Sequence, residues 1–206
     1  EGFRVDRQDQ KARVSVALYA GGAKDVVSRD GKCLTAVMLN KLAINPRRNA
    51  FIADRVTLMR RCGRVILVLT HRIAQIDILR TMLLERGIPI DDVGIFKSGM
   101  PDHIWKEQLK RPVVICSYGM ADEGVDKKEA DTCVMATPKS RVEQCIGRVQ
   151  RPCDTKQEPL VLDVADDATV FAQQRWTRQK YYTKRGYEVQ VVSVAQHDAA
   201  DAIWFS

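Results

Sequence analysis

At 206 residues, the chain is long enough for one good-sized hydrophobic core plus an appendage. Hydrophobic residues make up 45% and charged residues 29%, as in an ordinary soluble globular protein, and no stretch approaches the roughly 18 apolar residues of a membrane span. Lysine and arginine outnumber the acids by 33 to 26, a net charge of +7, which is compatible with a polyanionic partner without demonstrating one.

Residues 1–12 are polar and charged, with no secretory pattern, and the first residue is Glu1, which reads as an excised fragment of a longer protein. Arg13 to Ala20 alternates and runs into Gly21-Gly22, as a strand does before a turn. After a loop over 22–32, Leu34, Val37, Met38 and Leu42 recur at helical spacing. Asn45-Pro46 then supplies a cap and first helical position for a stripe of Ile52, Val56 and Met59 that stops by Gly63. This front part, residues 1–62, reads as a lead-in strand and two helices packed on the main domain.

Arg64 to Thr70 is the near-continuous apolar run of a central parallel strand covered on both faces. Ile73, Ile76, Leu79 and Leu83 form a helical stripe that ends at Gly87. Further strands are predicted over 92–96, 112–116, 132–136 and 159–163, with short helices over 102–110 and 140–148. The second of these helices has Ser140 and Glu143 at capping-box spacing. Residues 169–185 read as a basic helix broken at Gly186, and Tyr187 to Val192 as a late strand. Strand–helix alternation predicts an α/β domain with a parallel sheet over 63–192, and a tail over 193–206 in which Ile203, Trp204 and Phe205 would need cover.

The six cysteines form no CxxC pair, and Cys116 and Cys133 sit in apolar runs, which argues against zinc or a disulfide framework and favours a reducing, intracellular home. The histidines His71, His103 and His197 are too scattered for a metal site. On the basic helix, Phe171, Arg175, Arg178, Tyr182 and Arg185 share one face. Such a face either tracks a nucleic-acid strand or packs its aromatics on the sheet while the arginines snorkel; the second is the more ordinary reading.

In an open α/β sheet, ligands bind beyond the carboxyl ends of the strands. Those ends deliver Thr70-His71-Arg72, Ser98-Gly99, Ser117-Tyr118-Gly119 and Thr137-Pro138, a set of hydroxyls and backbone amides suited to a phosphodiester backbone. Gln144-Cys-Ile-Gly-Arg-Val-Gln-Arg-Pro152 then places Arg148 and Arg151 close together at a helix end, two guanidinium forks that keep their charge and match phosphate oxygens.

The order VVICSYGMADEGVD, TCVMATP, QCIGRVQRP resembles motifs V and VI of the superfamily-2 helicases, and within them those of large DNA viruses and phages and the restriction-enzyme-like branch. The resemblance spans about residues 64 to 165. It implies a RecA-like helicase C-terminal domain, with residues 1–62 as a linker or packing region. Thr70, His71 and Arg72 would lie at motif IV and, with Ser98, Gly99, Ser117 and Tyr118, contact a nucleic-acid strand. Gly124, Asp126 and Gln144 would lie at the nucleotide, and Arg148 and Arg151 would act as arginine fingers on ATP. ATP and Mg²⁺ would be held mainly by an N-terminal RecA-like domain of the same protein, because Arg29-Asp-Gly-Lys-Cys33 lacks the hydroxyl and glycine spacing of a phosphate-binding loop. The expected partners are that domain and single-stranded or duplex nucleic acid, DNA favoured over RNA, with no membrane. The expected setting is the cytoplasm, or a viral replication compartment if the source is viral. A non-catalytic nucleic-acid- or protein-binding module and a duplex translocase remain alternatives.

Overall fold

A computed structural model describes residues 11–22 and 24–194. The first ten residues, His197 and the apolar tail residues Ile203, Trp204 and Phe205 lie outside them. Among the described residues, seven strands form one sheet: β1 (Arg13–Tyr19), β2 (Ile66–Thr70), β3 (Val93–Phe96), β4 (Val113–Ser117), β5 (Thr132–Met135), β6 (Leu160–Asp166) and β7 (Glu188–Ser193). Their order is β3-β4-β2-β5-β6-β1-β7, and every pairing is parallel. The helices are α1 (Thr35–Ile44), α2 (Pro46–Arg61), α3 (Ile73–Glu85), α4 (Asp102–Leu109), α5 (Tyr118–Gly124), α6 (Glu143–Val149) and α7 (Thr169–Lys184).

Strict alternation along buried strands divides the core in two. Leu67, Leu69, Val114, Cys116, Cys133 and Met135 face one layer, with Tyr118 and Ala121 of α5, Cys145, Ile146 and Val149 of α6, and Tyr182 of α7. Ile66, Val68, Val113, Ile115 and Val134 face the other, with Ile52, Val56 and Met59 of α2 and Ile76, Leu79 and Leu83 of α3. The predicted parallel α/β architecture is therefore present, and Asn45 caps α2 as its position before Pro46 predicts, accepting from Arg48 N at 3.0 Å.

Three elements correct or extend the sequence reading. The lead-in strand β1 lies between β6 and β7, so residues on both sides of the boundary expected at 62 share one sheet. The helix expected over 140–148 begins at Glu143, with Val142 at its N-cap and no side-chain capping bond. Val142 is fully buried in the core and the helix starts only after it, three residues beyond Ser140, which removes Ser140 from the expected capping role. Residues 118–124, to which the sequence reading assigns no element, form the helix α5, with the Ser117 hydroxyl accepting from Met120 N at 3.3 Å.

On β6, Asp163 and Asp166 point to opposite layers, and an arginine from each layer meets them. Arg48 of α2 donates through Nε and Nη2 to Asp166 at 2.9 and 2.8 Å and through Nη1 to the carbonyl of Ala136. Arg178 of α7 donates through Nε and Nη2 to Asp163 at 2.7 and 2.9 Å, and Tyr182 OH donates to the same carboxylate at 3.0 Å. Arg178 is thus a buried structural cation beside the buried Phe171 and Tyr182, and these three residues of α7 cover the sheet. Gly22 passes so close to this region that an added Cβ would stand 2.3 Å from Asp166 Oδ1, which is why no side chain fits there.

Arg48→Met leaves Asp166 buried without its counter-charge. It should lower unfolding free energy by about 3–5 kcal/mol in urea titration, the usual result of removing one partner of a buried pair. A loss under about 1 kcal/mol, the range of an exposed pair, would show that the bridge is not structural.

Candidate nucleotide and nucleic-acid site

The candidate residues fall into two groups on the carboxyl side of the sheet. In the first, Thr70 is fully buried. Its hydroxyl accepts from Arg72 N at 3.2 Å and donates to Gln75, so it shapes the turn into α3 and does not face solvent. His71 is half-buried; Thr137 Oγ1 accepts from its backbone N–H at 2.9 Å and lies 2.9 Å from Nδ1. The Arg72 guanidinium donates to Asn40 and to Ala36 O of α1, at 3.2 Å for the latter. Ser98 and Gly99 form an exposed turn after β3, with Gly99 at φ +84°. Ser117 caps α5, as above. Tyr118 is buried, donating from its hydroxyl to Thr137 O at 2.8 Å, with the His71 ring 4.6 Å away.

The second group surrounds α6. Asp122, Gln144, Gly147, Arg148 and Arg151 line an open hollow of about 370 Å³. Arg148 donates to the carbonyls of Val125 and of Asp122, the latter at 3.0 Å, so its cation sits at the negative end of α5. Arg151 is paired with Asp126, both exposed to solvent. Gln144 is exposed. Gly124, at the end of α5, has only ordinary contact with Phe96 where a Cβ would stand. Gly147 is different: it is exposed within a helix, and a Cβ there would meet nothing within 4 Å. Alanine would suit that helical backbone better by about 1 kcal/mol, so packing does not account for the glycine.

Sequence reasoning named Thr137 only as part of a strand end and did not single out Lys139 or Asp122. Lys139 Nζ lies 3.0 Å from Asp122 Oδ2 and 4.6 Å from the centre of the Tyr118 ring, and its carbonyl accepts from Arg178 Nη1 at 2.8 Å. Thr137 receives both His71 and Tyr118. The signal was the stretch Thr137-Pro138-Lys139 at a strand end.

Burial, with the nearby charges of Lys139 and Arg72, lowers the His71 pKa to about 4. An unfolded histidine titrates near 6.5, so between about pH 6.5 and 4 the unfolded chain binds a proton that the folded one refuses. Stability should therefore fall as pH is lowered through that window, and His71→Gln should flatten that part of the curve. Superimposable pH–stability curves for the two proteins would contradict this account.

No protein-family model matches the chain. Over 160 residues it is 30% identical to an Acanthamoeba polyphaga mimivirus protein named "Putative ATP-dependent RNA helicase", a match covering 77% of this chain and 31% of the relative. A protein of the same name from African swine fever virus is 26% identical over 104 residues, covering 50% of this chain and 20% of that one. The chain thus spans about a third or less of the length of these relatives. Among solved structures, T4 UvsW superposes with a TM-score of 0.67 at 18% identity, over 91% of this chain and 42% of that one. The C-terminal domain of the DEAD-box protein Dbp5 superposes with a TM-score of 0.61 at 13% identity, over 95% of this chain and 97% of that one. The chain is thus related in sequence to these viral proteins, and it has the parallel α/β fold of RecA-like helicase C-terminal domains.

Proposed function

We propose that this domain is the second motor half of an ATP-dependent superfamily-2 helicase acting on RNA, with Arg148 and Arg151 as the groups that meet the γ-phosphate of ATP. The observation that carries the reading is the open hollow in which both guanidinium groups stand around a glycine that the helix itself does not require. A phosphate seated over Gly147 would approach the helix more closely than any side chain allows. It would be met by charges that burial does not have to be overcome to reach, since Arg151 is exposed. As charge develops on the transferring phosphoryl group, two positioned cations stabilise it without reorganising. Arg148 is already held by the α5 carbonyls and Arg151 by Asp126, so little side-chain entropy remains to be lost.

The same residues do not fit Mg²⁺. The two carboxylates near the hollow are engaged with cations, Asp122 with Lys139 and Asp126 with Arg151. Among the described residues, no group of three histidine, cysteine, aspartate or glutamate side chains could hold a metal ion. Mg²⁺ and the rest of the nucleotide would be carried by an N-terminal RecA-like domain, with Gln144 and Asp126 facing it from this side.

For the strand, the exposed Ser98-Gly99 turn and the His71-Arg72 loop offer donors along the carboxyl edge, while Thr70 and Tyr118 support that loop from inside. The expectation of DNA finds no support in the relatives' names, which specify RNA; a Dbp5 structure of the same fold, TM-score 0.58, is described as bound to RNA and ADP BeF3. RNA therefore takes the place of DNA in this reading.

The test uses a protein carrying both motor domains, assayed for phosphate release with single-stranded RNA and with DNA. Arg151→Ala should lower turnover roughly 10³-fold while ATP affinity changes much less, because the arginine acts on transition-state charge. Near-normal turnover would remove Arg151 from that role. Gly147→Ala should raise the melting temperature, in line with a gain of about 1 kcal/mol, and still impair turnover. A stabilised, fully active Gly147→Ala protein would show that the hollow is not the phosphate seat. The 206-residue chain alone should release no phosphate from ATP, with or without RNA; robust turnover lost on Arg148→Ala would overturn the half-motor reading.

A further inference from the structure

Helix α5 runs between the two candidate sites, and it is seven residues long. A helix of that length has little stability of its own, so its position is set by whatever grips it. At its start, Ser117 caps it and the Tyr118 hydroxyl donates to Thr137 O at 2.8 Å. At its end, the carbonyls of Asp122 and Val125 receive Arg148. Lys139 touches both halves. Its ammonium group is 4.6 Å from the Tyr118 ring centre and 3.0 Å from Asp122 Oδ2, and it reaches Cys145 Sγ of α6 at 3.8 Å. The side chains of Lys139 and Asp122 are only 19% and 31% exposed, so the pair is partly shielded from solvent, unlike an ordinary surface bridge. The backbone of Lys139 is fixed in turn by Arg178, which is anchored on Asp163 in the core. Lys139 is therefore a rigidly based cation that ties the end of α5 to the sheet.

We infer that Lys139 and Asp122 are positioning residues for Arg148: their ion pair fixes the α5 carbonyls that hold the guanidinium, and it links that guanidinium through Tyr118 to the His71-Arg72 loop. The inference rests on the reading of Arg148 as a phosphate contact. The ring of His71 lies 4.6 Å from that of Tyr118, and both residues bond to Thr137. The pair thus steadies the first residue and the end of α5 together, and with them the seat of Arg148. Neither Lys139 nor Asp122 needs to touch ATP or RNA for this to operate.

The first measurement is made on the 206-residue chain, following the Arg148 side-chain Nε–Hε NMR signal. Lys139→Met, which keeps length and loses charge, and Asp122→Asn should each move that signal, and Lys139→Arg should return it towards the wild-type position. Asp54→Ala, which removes the ion pair with Arg86 on the opposite face of the sheet, should leave it in place. An Arg148 signal that stays put in Lys139→Met, or that moves as far in Asp54→Ala, would overturn the inference. The second measurement uses the protein with both motor domains. Lys139→Met should reduce RNA-stimulated kcat roughly tenfold to a hundredfold, with KM for ATP changed far less, and Lys139→Arg should recover most of it. The double variant Lys139→Met/Arg148→Ala should be no slower than Arg148→Ala alone, since both changes remove the same placed cation; additive losses would also overturn the inference. A displaced Arg148 signal together with unimpaired turnover in Arg148→Ala would sink the phosphate reading and leave the positioning role standing.

Discussion

The fold depends on two carboxylates in one strand. Asp163 and Asp166 of β6 face opposite layers, and each is gripped by two N–H groups of an arginine that is itself almost wholly buried. A charge so deep in a protein is tolerated only when paired and hydrogen-bonded in good geometry. The pairs therefore act as locators. Arg48 sets α2 against the ends of β5 and β6, and Arg178 sets α7 and, through its bond to the Lys139 carbonyl, the loop that leads into α6. Burial alone works against the charge of Arg178, and the adjacent Asp163 outweighs it, holding the pKa above the ordinary arginine value.

From that frame the candidate site follows by short steps. The Lys139 backbone is fixed by Arg178, its side chain meets α5, and α5 presents the carbonyls on which Arg148 rests. The strand-facing loop is fastened to the same place, because Thr137 receives both His71 and the hydroxyl of Tyr118. Rigid elements thus carry both groups of residues, and the candidate residues that stay exposed are Gly124, Asp126, Gln144, Gly147, Arg151 and the Ser98-Gly99 turn.

The strands were legible because burial on both faces leaves little choice of residue: Ile66 to Thr70 and Val113 to Cys116 are buried throughout, and both read as apolar runs. The arginine motif was legible from spacing. Helix α5 was not, because its sequence Tyr-Gly-Met-Ala-Asp-Glu-Gly carries two glycines and gains its helicity from the Ser117 cap and from packing by Tyr118 and Ala121. The buried roles of Arg48 and Arg178 were not legible, since their partners are fixed only by the three-dimensional arrangement; Arg48 and Asp166 stand 118 residues apart. Thr70 and Tyr118 share that limit: a hydroxyl at a strand end looks alike in sequence whether it meets solvent or a buried glutamine. The place of β1 was also hidden, because period-two alternation identifies a strand and says nothing of its neighbours.

That placement has a consequence for how the domain comes to exist. Among the described strands β1 pairs only with β6 and β7, so during synthesis it finds no partner in this sheet until residues near 160 to 193 have been made. Contacts of such wide sequence separation are slow to close, and an unpaired apolar strand is open to wrong pairings meanwhile. The β2–β4–β3 half of the sheet can assemble early from neighbouring segments, whereas the β6–β1–β7 half is sealed only when residues 13–19 and 160–193 are both present. A chain shortened to begin after residue 62 would lose the strand between β6 and β7, leaving β7 with nothing to join.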